Sequence, residues 1–233
     1  TEIYTLSLHD ALPISRVGIN YRQSRPEAEA LAREIGPGQA VPIPGDLGEE
    51  KDIALMFDQL ERAFGPVDVL INNAAYCPSG PIESYSRDEW ERTFSVNVTG
   101  AFQACQELIK RLRIRQARGA IVNIASQAAF LGSTSGHLPY DASKGALVSM
   151  TRAIAREVAR EGIRVNAIAP GMVMTEMVAK VWEQRKEQYL ARIPLHRIGQ
   201  PEEIAKVVVF LASDAADYMT GATVDVSGGL LMH

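Results

Sequence analysis

The sequence predicts a doubly wound α/β fold, in which helices cover both faces of a parallel sheet. From residue 16 onward, short β-rich runs alternate with longer helical patterns, as they do where crossover helices join parallel strands. The run 67–71 is almost continuously apolar, which a strand buried on both faces requires. The 233 residues contain no linker or change in composition between residues 16 and 233, so we expect one domain there.

Six strands are expected in this domain. Each is a short run of apolar or β-branched residues bounded by turn residues. We place them at residues 17–21, 39–43, 67–71, 120–125, 163–169 and 222–226. Residues 1–15 form an atypical segment, in which residues 3–8 could form a further strand and Pro13 disfavours helix.

Helical patterns fill the intervals between these strands. Ser24 with Glu27, and Ser86 with Glu89, have the spacing of capping boxes and predict two helix starts. We expect helices at residues 26–35, 49–64, 86–115, 140–161, 175–190 and 201–212.

The composition excludes several classes of protein. The net charge of −4 gives no basic surface for nucleic acid or for an anionic membrane. Two cysteines, Cys77 and Cys105, are too few for a disulfide scaffold or a multi-cysteine zinc site and fit a reducing compartment, the cytoplasm. The four histidines lack the spacing of metal ligands, so no metal is expected.

Ligands of doubly wound sheets bind outside the carboxyl ends of the strands, so the residues that follow each strand are the first candidates. Asn72-Asn73-Ala74-Ala75 follows the third strand, where small residues admit a ligand and amides bind it; a polar turn is equally plausible. Asp46-Leu47 follows the second strand, and Asp46 there could equally cap a helix.

A possible acid–base group lies after the fourth strand. Ser126 follows that strand, Tyr140 opens the next helix, and Lys144 lies one turn further on the same helical face. A nearby ammonium favours the phenolate and lowers the pKa of a tyrosine, so that it can exchange a proton with a substrate oxygen. The pair alone could occur by chance, but its position after Ser126 supports the functional interpretation.

Asn97 lies within the expected helix 86–115, among β-branched residues that disfavour helix. Asn97 is either a tolerated polar residue, which the sequence alone favours, or a residue that bends the helix or serves the site.

Together these residues resemble the short-chain dehydrogenase/reductase family over about residues 16–229. Asn72-Asn73-Ala74-Ala75 is similar to the family's Asn-Asn-Ala-Gly signature, with Ala75 in place of glycine. Residues 193–199 resemble a segment of the 3-oxoacyl-carrier-protein-reductase-like and sugar-dehydrogenase-like branches. The positions that match the family's catalytic tetrad are Asn97, Ser126, Tyr140 and Lys144.

The resemblance implies a Rossmann-like oxidoreductase that transfers a hydride between a nicotinamide cofactor and a carbonyl or alcohol. It implies that Tyr140 is the general acid–base, that Lys144 lowers its pKa and holds the ribose, that Ser126 orients the substrate and that Asn97 supports Lys144 through water. Residues 170–175 look like the nicotinamide-contacting loop. The implied cofactor-binding residues are Arg22, Asp46, Leu47, Asn73, Ala74, Ala75, Tyr140, Lys144, Pro170, Gly171, Val173 and Thr175.

The expected cofactor is NADP, with NAD as the alternative. An acidic residue after the second strand of such a fold favours NAD, whereas Arg22 stands here, and arginine pairs well with a 2′-phosphate. The alternative is that Arg22 is a solvated surface charge.

One family feature is not found in the sequence. The glycine-rich turn Gly-x-x-x-Gly-x-Gly, which with its strand and helix holds the pyrophosphate, occurs nowhere, and residues 17–21 resemble the second strand of the family. We therefore expect residues 1–15 to be foreign to the family and nucleotide binding to be weak. A catalytically impaired chain that acts only as a subunit or binding partner is the alternative function.

The sequence predicts the class of the substrate and that the protein forms oligomers, but not which substrate or which oligomer. A 3-oxoacyl thioester and a sugar or other secondary alcohol remain rival substrates. Helices 86–115 and 140–161 would be subunit contacts of a homotetramer or homodimer, with no nucleic acid or membrane partner. Cys77 has no identifiable nearby base and is given no role, whereas His137 could touch the substrate.

Overall fold

A computed structural model describes residues 16–133, 136–179 and 182–232 of the chain. The atypical segment 1–15, with its expected strand at residues 3–8, lies outside these residues. Within them, the strands are β1 (Val17–Tyr21), β2 (Ala40–Pro44), β3 (Val69–Asn72), β4 (Gly119–Ile124), β5 (Ile163–Pro170) and β6 (Thr223–Val226).

The six described strands form two parallel sheets rather than the single sheet that we expected. β1 pairs with β2, and the other four pair in the order β3-β4-β5-β6. In a doubly wound sheet of order 3-2-1-4-5-6, the first strand lies between the second and the fourth. If β1 is the family's second strand, that position lies between β1 and β3, where the described residues place no strand.

The helices follow the expected alternation, with local differences. They are α1 (Arg25–Ile35), α2 (Glu50–Phe64), α3 (Arg87–Phe94), α4 (Ala101–Arg115), α5 (Ala128–Leu131), α6 (Leu138–Val158), α7 (Glu176–Ala179), α8 (Trp182–Leu190) and α9 (Pro201–Ala212). The short helix α5 was not expected from the sequence. Residues 180 and 181, in the middle of the expected helix 175–190, lie outside the described residues. No helix of the described chain is both long and apolar enough to cross a membrane.

Only one of the two expected capping boxes forms. The Ser86 hydroxyl accepts a hydrogen bond from the backbone N–H of Glu89 at 3.1 Å, and the Glu89 carboxylate accepts from the Ser86 N–H at 3.1 Å. Ser24 makes no capping hydrogen bond, because its backbone (φ −88°, ψ 57°) is not in the extended conformation that directs an N-cap side chain at the helix.

The expected helix 86–115 is interrupted by a π-helical turn, Ser95–Gly100, between α3 and α4. Such turns are rare and occur often at functional sites. Gly100 ends the turn, and a Cβ atom at this position would collide with the backbone carbonyl of Leu47. The turn therefore brings Gly100 against the segment that follows β2.

Apolar clusters on opposite faces of the sheets hold the fold together. One cluster joins Ile43 of β2 and Phe57 of α2 to Leu108 of α4 and Ile121 of β4, and so spans both sheets. The other packs Val122 and neighbouring residues of β4 and β5 against α9. Because alternate residues of β4 face opposite clusters, helices cover both faces, as the sequence predicts.

Candidate active site

The carboxyl ends of β3, β4 and β5 lie at one edge of the sheet, since these strands run parallel. Ser126 lies just beyond β4, and Tyr140 lies in the first turn of α6. The Ser126 hydroxyl acts on the phenol and lowers its pKa, so the two side chains face each other. The Ser126 Oγ also accepts a hydrogen bond from the backbone N–H of Ala128 at 3.1 Å, which fixes its position at the start of α5.

Lys144 lies one helical turn after Tyr140, and only 2% of it is exposed. Its Nζ donates a hydrogen bond to the backbone carbonyl of Ile124, the last residue of β4, at 2.6 Å. The same Nζ lies 5.4 Å from the centroid of the Tyr140 ring. Burial lowers the pKa of Lys144 from 10.5 to about 8, because the low-dielectric interior disfavours the ammonium.

The pKa of Tyr140 is raised, not lowered as the sequence predicts. Burial is the largest cause, a charge on Cys77 acts in the same direction, and the hydrogen bond with Ser126 opposes both. In this arrangement the ammonium of Lys144 is directed to the Ile124 carbonyl and does not offset the desolvation of the phenol. The protein alone therefore holds Tyr140 as a neutral proton donor.

Asn97 joins three parts of the site rather than contacting Lys144. Its Oδ1 accepts from the N–H of Tyr76 at 2.7 Å, and its Nδ2 donates to the carbonyl of Tyr76 at 2.9 Å and to Ser143 Oγ at 2.9 Å. Asn97 is 2% exposed. Asn97 thus connects the Tyr76 segment to α6, and its role in the site stays a prediction.

A buried ladder of side chains supports the segment after β3. Asn72 donates to Asn123 Oδ1 at 2.8 Å, and Asn123 donates to Thr151 Oγ1 of α6 at 2.8 Å. Asn72 and Asn123 are register partners in β3 and β4. The ladder positions the residues that follow β3 at the edge of the sheet, where Ala75 is buried and Asn73 and Ala74 are half-buried.

Asp46 lies in a cluster of charges that the sequence did not reveal. Arg92 of α3 donates to Asp46 Oδ2 at 2.8 Å, and the Nη1 of Arg22 lies 3.5 Å from the same oxygen. Although burial acts to raise its pKa, the hydrogen bonds from Arg92 and from the N–H of Gly48 hold the pKa of Asp46 below its ordinary value. Arg92 is 46 residues distant in sequence, so no local pattern indicates the pair.

The loop after β5 is hydrogen-bonded to the segment after β4 on one side and to β6 on the other. The carbonyl of Pro170 accepts from the N–H of Gln127 at 2.9 Å, and the N–H of Gly171 donates to Val226 of β6 at 3.1 Å. Val173 forms an isolated parallel bridge with Gly199. Thr175 begins the next helical segment: its Oγ1 accepts from the N–H of Val178 at 3.4 Å, and its carbonyl from the N–H of Ala179 at 2.8 Å.

Comparison with known proteins decides the family. A family model described as enoyl-(acyl carrier protein) reductase matches residues 15–231. The 3-oxoacyl-[acyl-carrier-protein] reductase FabG of Staphylococcus aureus is 36% identical over 218 residues, which are 93% of this chain and 88% of that protein. The chain belongs to the short-chain dehydrogenase/reductase family. It is accordingly an oxidoreductase of the FabG-like type.

Two further relatives agree with this assignment. An Escherichia coli protein named as an uncharacterized oxidoreductase is 37% identical over 219 residues, 91% of this chain and 89% of its own. The solved structure of a Brucella melitensis short-chain dehydrogenase/reductase, titled glucose/ribitol dehydrogenase, superimposes with a TM-score of 0.86. It is 32% identical and the match covers 94% of this chain and 87% of that one.

Short-chain dehydrogenase/reductases use a nicotinamide cofactor, and the described residues offer groups that suit one. The buried ammonium of Lys144 is hydrogen-bonded to the last residue of β4, while the small residues 74–75 follow β3 and Gly171 follows β5. Arg22 and Asp46, which follow β1 and β2, form an ion pair of 3.5 Å. The glycine-rich pyrophosphate turn occurs nowhere in the sequence.

The structure also brings together a pair that the sequence did not predict. The Sγ of Cys77 lies 3.6 Å from the Nδ1 of His137, whose ring nitrogen also contacts the carbonyl of Pro78 at 3.1 Å. Because a carbonyl only accepts hydrogen bonds, Nδ1 carries the proton, and the sulfur is the acceptor. The expectation that Cys77 has no imidazole nearby was wrong, because the two residues are 60 positions apart.

Proposed function

We propose that this chain transfers a hydride between NADP(H) and a small carbonyl compound or secondary alcohol, with Tyr140 as the general acid–base. The observation that carries the proposal is the arrangement of Ser126, Tyr140 and Lys144: the serine hydroxyl faces the phenol, and the ammonium lies 5.4 Å from the centroid of its ring.

A bound nicotinamide would supply the hydride in the reductive direction and accept it in the oxidative direction. In the reductive direction the Tyr140 hydroxyl would donate its proton to the carbonyl oxygen of the substrate, and Ser126 would hold that oxygen in place. The raised pKa of Tyr140 keeps this proton in place at neutral pH. Lys144, whose pKa is about 8, is charged at neutral pH and stabilises the phenolate that remains.

Cofactor contacts are proposed at both ends of the sheet edge. Asn73, Ala74 and Ala75 after β3, and Pro170, Gly171, Val173 and Thr175 after β5, would contact the nicotinamide half together with Tyr140 and Lys144. Asp46, Leu47 and Arg22 would contact the adenosine half, where Arg22 would pair with a 2′-phosphate. Asn97 and Lys144 are buried and hydrogen-bonded, and Ser126 and Tyr140 are half-buried at the same edge of the sheet, which favours an enzyme over a catalytically silent subunit.

The test of the proposed chemistry is turnover of a carbonyl panel with NADPH and NADH. The panel contains a 3-oxoacyl thioester, an aldose and simple ketones, because the named relatives divide between acyl and sugar substrates. Tyr140→Phe keeps the ring and removes the proton donor, so we expect kcat to fall by at least about 10²-fold. Full activity of this variant, or no turnover by the parent chain with any panel member, would refute the proposed role.

The cofactor preference is tested at Arg22. Arg22→Asp removes the cation and introduces a carboxylate, so we expect the ratio of kcat/KM for NADPH to that for NADH to fall by about tenfold or more. Arg25→Gln is the matched control, because Arg25 follows the same strand but is exposed and paired with Glu29 at 2.7 Å. If the ratio is unchanged in Arg22→Asp, Arg22 is a solvated surface charge that does not contact the cofactor.

We also propose a homotetramer or homodimer in the cytoplasm. The first of the two expected contact helices, residues 86–115, exposes large apolar side chains, with Trp90 of α3 40% exposed and Phe102 of α4 41% exposed. Both cysteines are free thiols, as the reducing cytoplasm maintains them. Light scattering of the purified protein measures the assembly, and a monomer at micromolar concentration would contradict it.

A further inference from the structure

Ser143 is the buried side chain that connects the tetrad residue Asn97 to the helix of Tyr140. It is fully buried, with no exposed surface. Its hydroxyl donates to the backbone carbonyl of Tyr140, three residues earlier in α6, at 2.7 Å. The same oxygen accepts from the Nδ2 of Asn97 at 2.9 Å.

The bond from Ser143 to Tyr140 is by itself an ordinary feature. Serine and threonine in helices often bond to a carbonyl of the preceding turn. Thr93 of α3 does so here, donating to Glu89 at 2.7 Å. Ser143 differs because its second bond leaves the helix and ends on Asn97, 46 residues earlier in the chain.

Asn97 in turn holds both the N–H and the carbonyl of Tyr76. Tyr76 directly follows Ala75, in the segment proposed to contact the nicotinamide. A single buried series of hydrogen bonds therefore connects that segment, the π-helical turn and the first turn of α6.

We infer that Ser143 is a positioning residue, which fixes the helical turn carrying Tyr140 and Lys144 against the Tyr76 segment by acting through Asn97. The catalytic part of this inference rests on the proposed function. Loss of the hydroxyl leaves one N–H of Asn97 buried without its acceptor, so the asparagine no longer holds the two elements at a fixed separation. Displacements of about 1 Å between catalytic groups can cost as much as 10²-fold in rate.

The test compares Ser143→Ala with Thr93→Val, which removes a similar buried back-bond away from Asn97. We expect Ser143→Ala to lower kcat by about tenfold or more with KM changed by less than about threefold. If Tyr140 loses its alignment with Ser126, the bond that lowers its pKa weakens, so the pH at half-maximal alcohol oxidation should rise. Thr93→Val should change neither quantity.

Hydrogen exchange of the cofactor-free protein provides a readout that does not depend on activity. The peptide containing Tyr76 should exchange faster in Ser143→Ala than in the parent chain, and at the parental rate in Thr93→Val. Unchanged exchange together with unchanged kcat in Ser143→Ala, or equal effects of both variants, would overturn the inference. If the parent chain turns over no carbonyl substrate, the proposed function fails, whereas the exchange result still decides whether Ser143 acts through Asn97.

Discussion

Replacing Lys144 with methionine should abolish turnover and change the unfolding free energy of the protein by an amount that depends on pH. Lys144 is 2% exposed, and its pKa falls from 10.5 in solvent to about 8 in the fold. Each tenfold change in this proton equilibrium corresponds to about 1.4 kcal/mol, so keeping the ammonium in the interior costs about 3 kcal/mol relative to the neutral amine.

The sign of the pH dependence follows from the lowered pKa. Below pH 8 both the folded and the unfolded chain hold the proton, and the full cost is present. Between pH 8 and 10.5 the folded chain releases the proton first, so the wild-type fold is stabilised as the pH rises; above 10.5 the cost is gone. A methionine at this position has no charge and should show none of this dependence.

The assay is chemical denaturation of both proteins at several pH values. From pH 7 to pH 10, the unfolding free energy of wild type should rise by about 2–3 kcal/mol relative to that of Lys144→Met. Lys110→Met is the control, since the Lys110 side chain is 70% exposed. If the difference between wild type and Lys144→Met stays constant across this range, burial does not penalise the ammonium and the reasoning is wrong. Lys144→Met should lose turnover at every pH.

Two further predictions concern the thiols and the π-helical turn. Iodoacetamide should modify Cys77 well before Cys105, because Cys105 is fully buried and burial raises its pKa to about 12; equal labelling rates, read by peptide mass spectrometry, would contradict this. NADPH, if it covers the site, should slow the labelling of Cys77. Gly100→Ala should destabilise the fold by about 2 kcal/mol, because the new Cβ meets the Leu47 carbonyl. Gly145→Ala, in the interior of α6 with room for a methyl group, should instead stabilise it by about 0.5–1 kcal/mol, and denaturation midpoints that move in the same direction for both would refute the contrast.

The residues that we propose for catalysis could be found from the sequence because they are close in sequence or lie at strand ends. The spacing of four between Tyr140 and Lys144 places both on one helical face wherever the helix packs. Ser126 was predictable because residues after parallel strands meet at one edge of the sheet. The capping box of Ser86 formed as predicted, whereas Ser24 shows that the same spacing fails when the backbone before the helix takes another conformation.

The electrostatic state of the site was not predictable in this way. The sequence suggested that Lys144 lowers the pKa of Tyr140, yet burial raises it, and the ammonium is bound to the carbonyl of Ile124. The desolvation of a side chain depends on every element that packs around it. Helical spacing therefore predicts which residues are its neighbours on the helix but does not predict its pKa. The pairing of Asp46 with Arg92 belongs to the same class of feature.

The amino-acid sequence by itself determined the alternation of strands and helices and the family, since periodicity and short spacings follow from backbone geometry, and it provided the four residues that we propose as the tetrad. Only the tertiary structure decided that the described strands divide into two sheets, that Asn97 bonds Tyr76 and Ser143, and that Cys77 meets His137. These contacts join residues 21 to 60 positions apart. Their existence depends on how whole elements pack against one another, which no short stretch of sequence specifies.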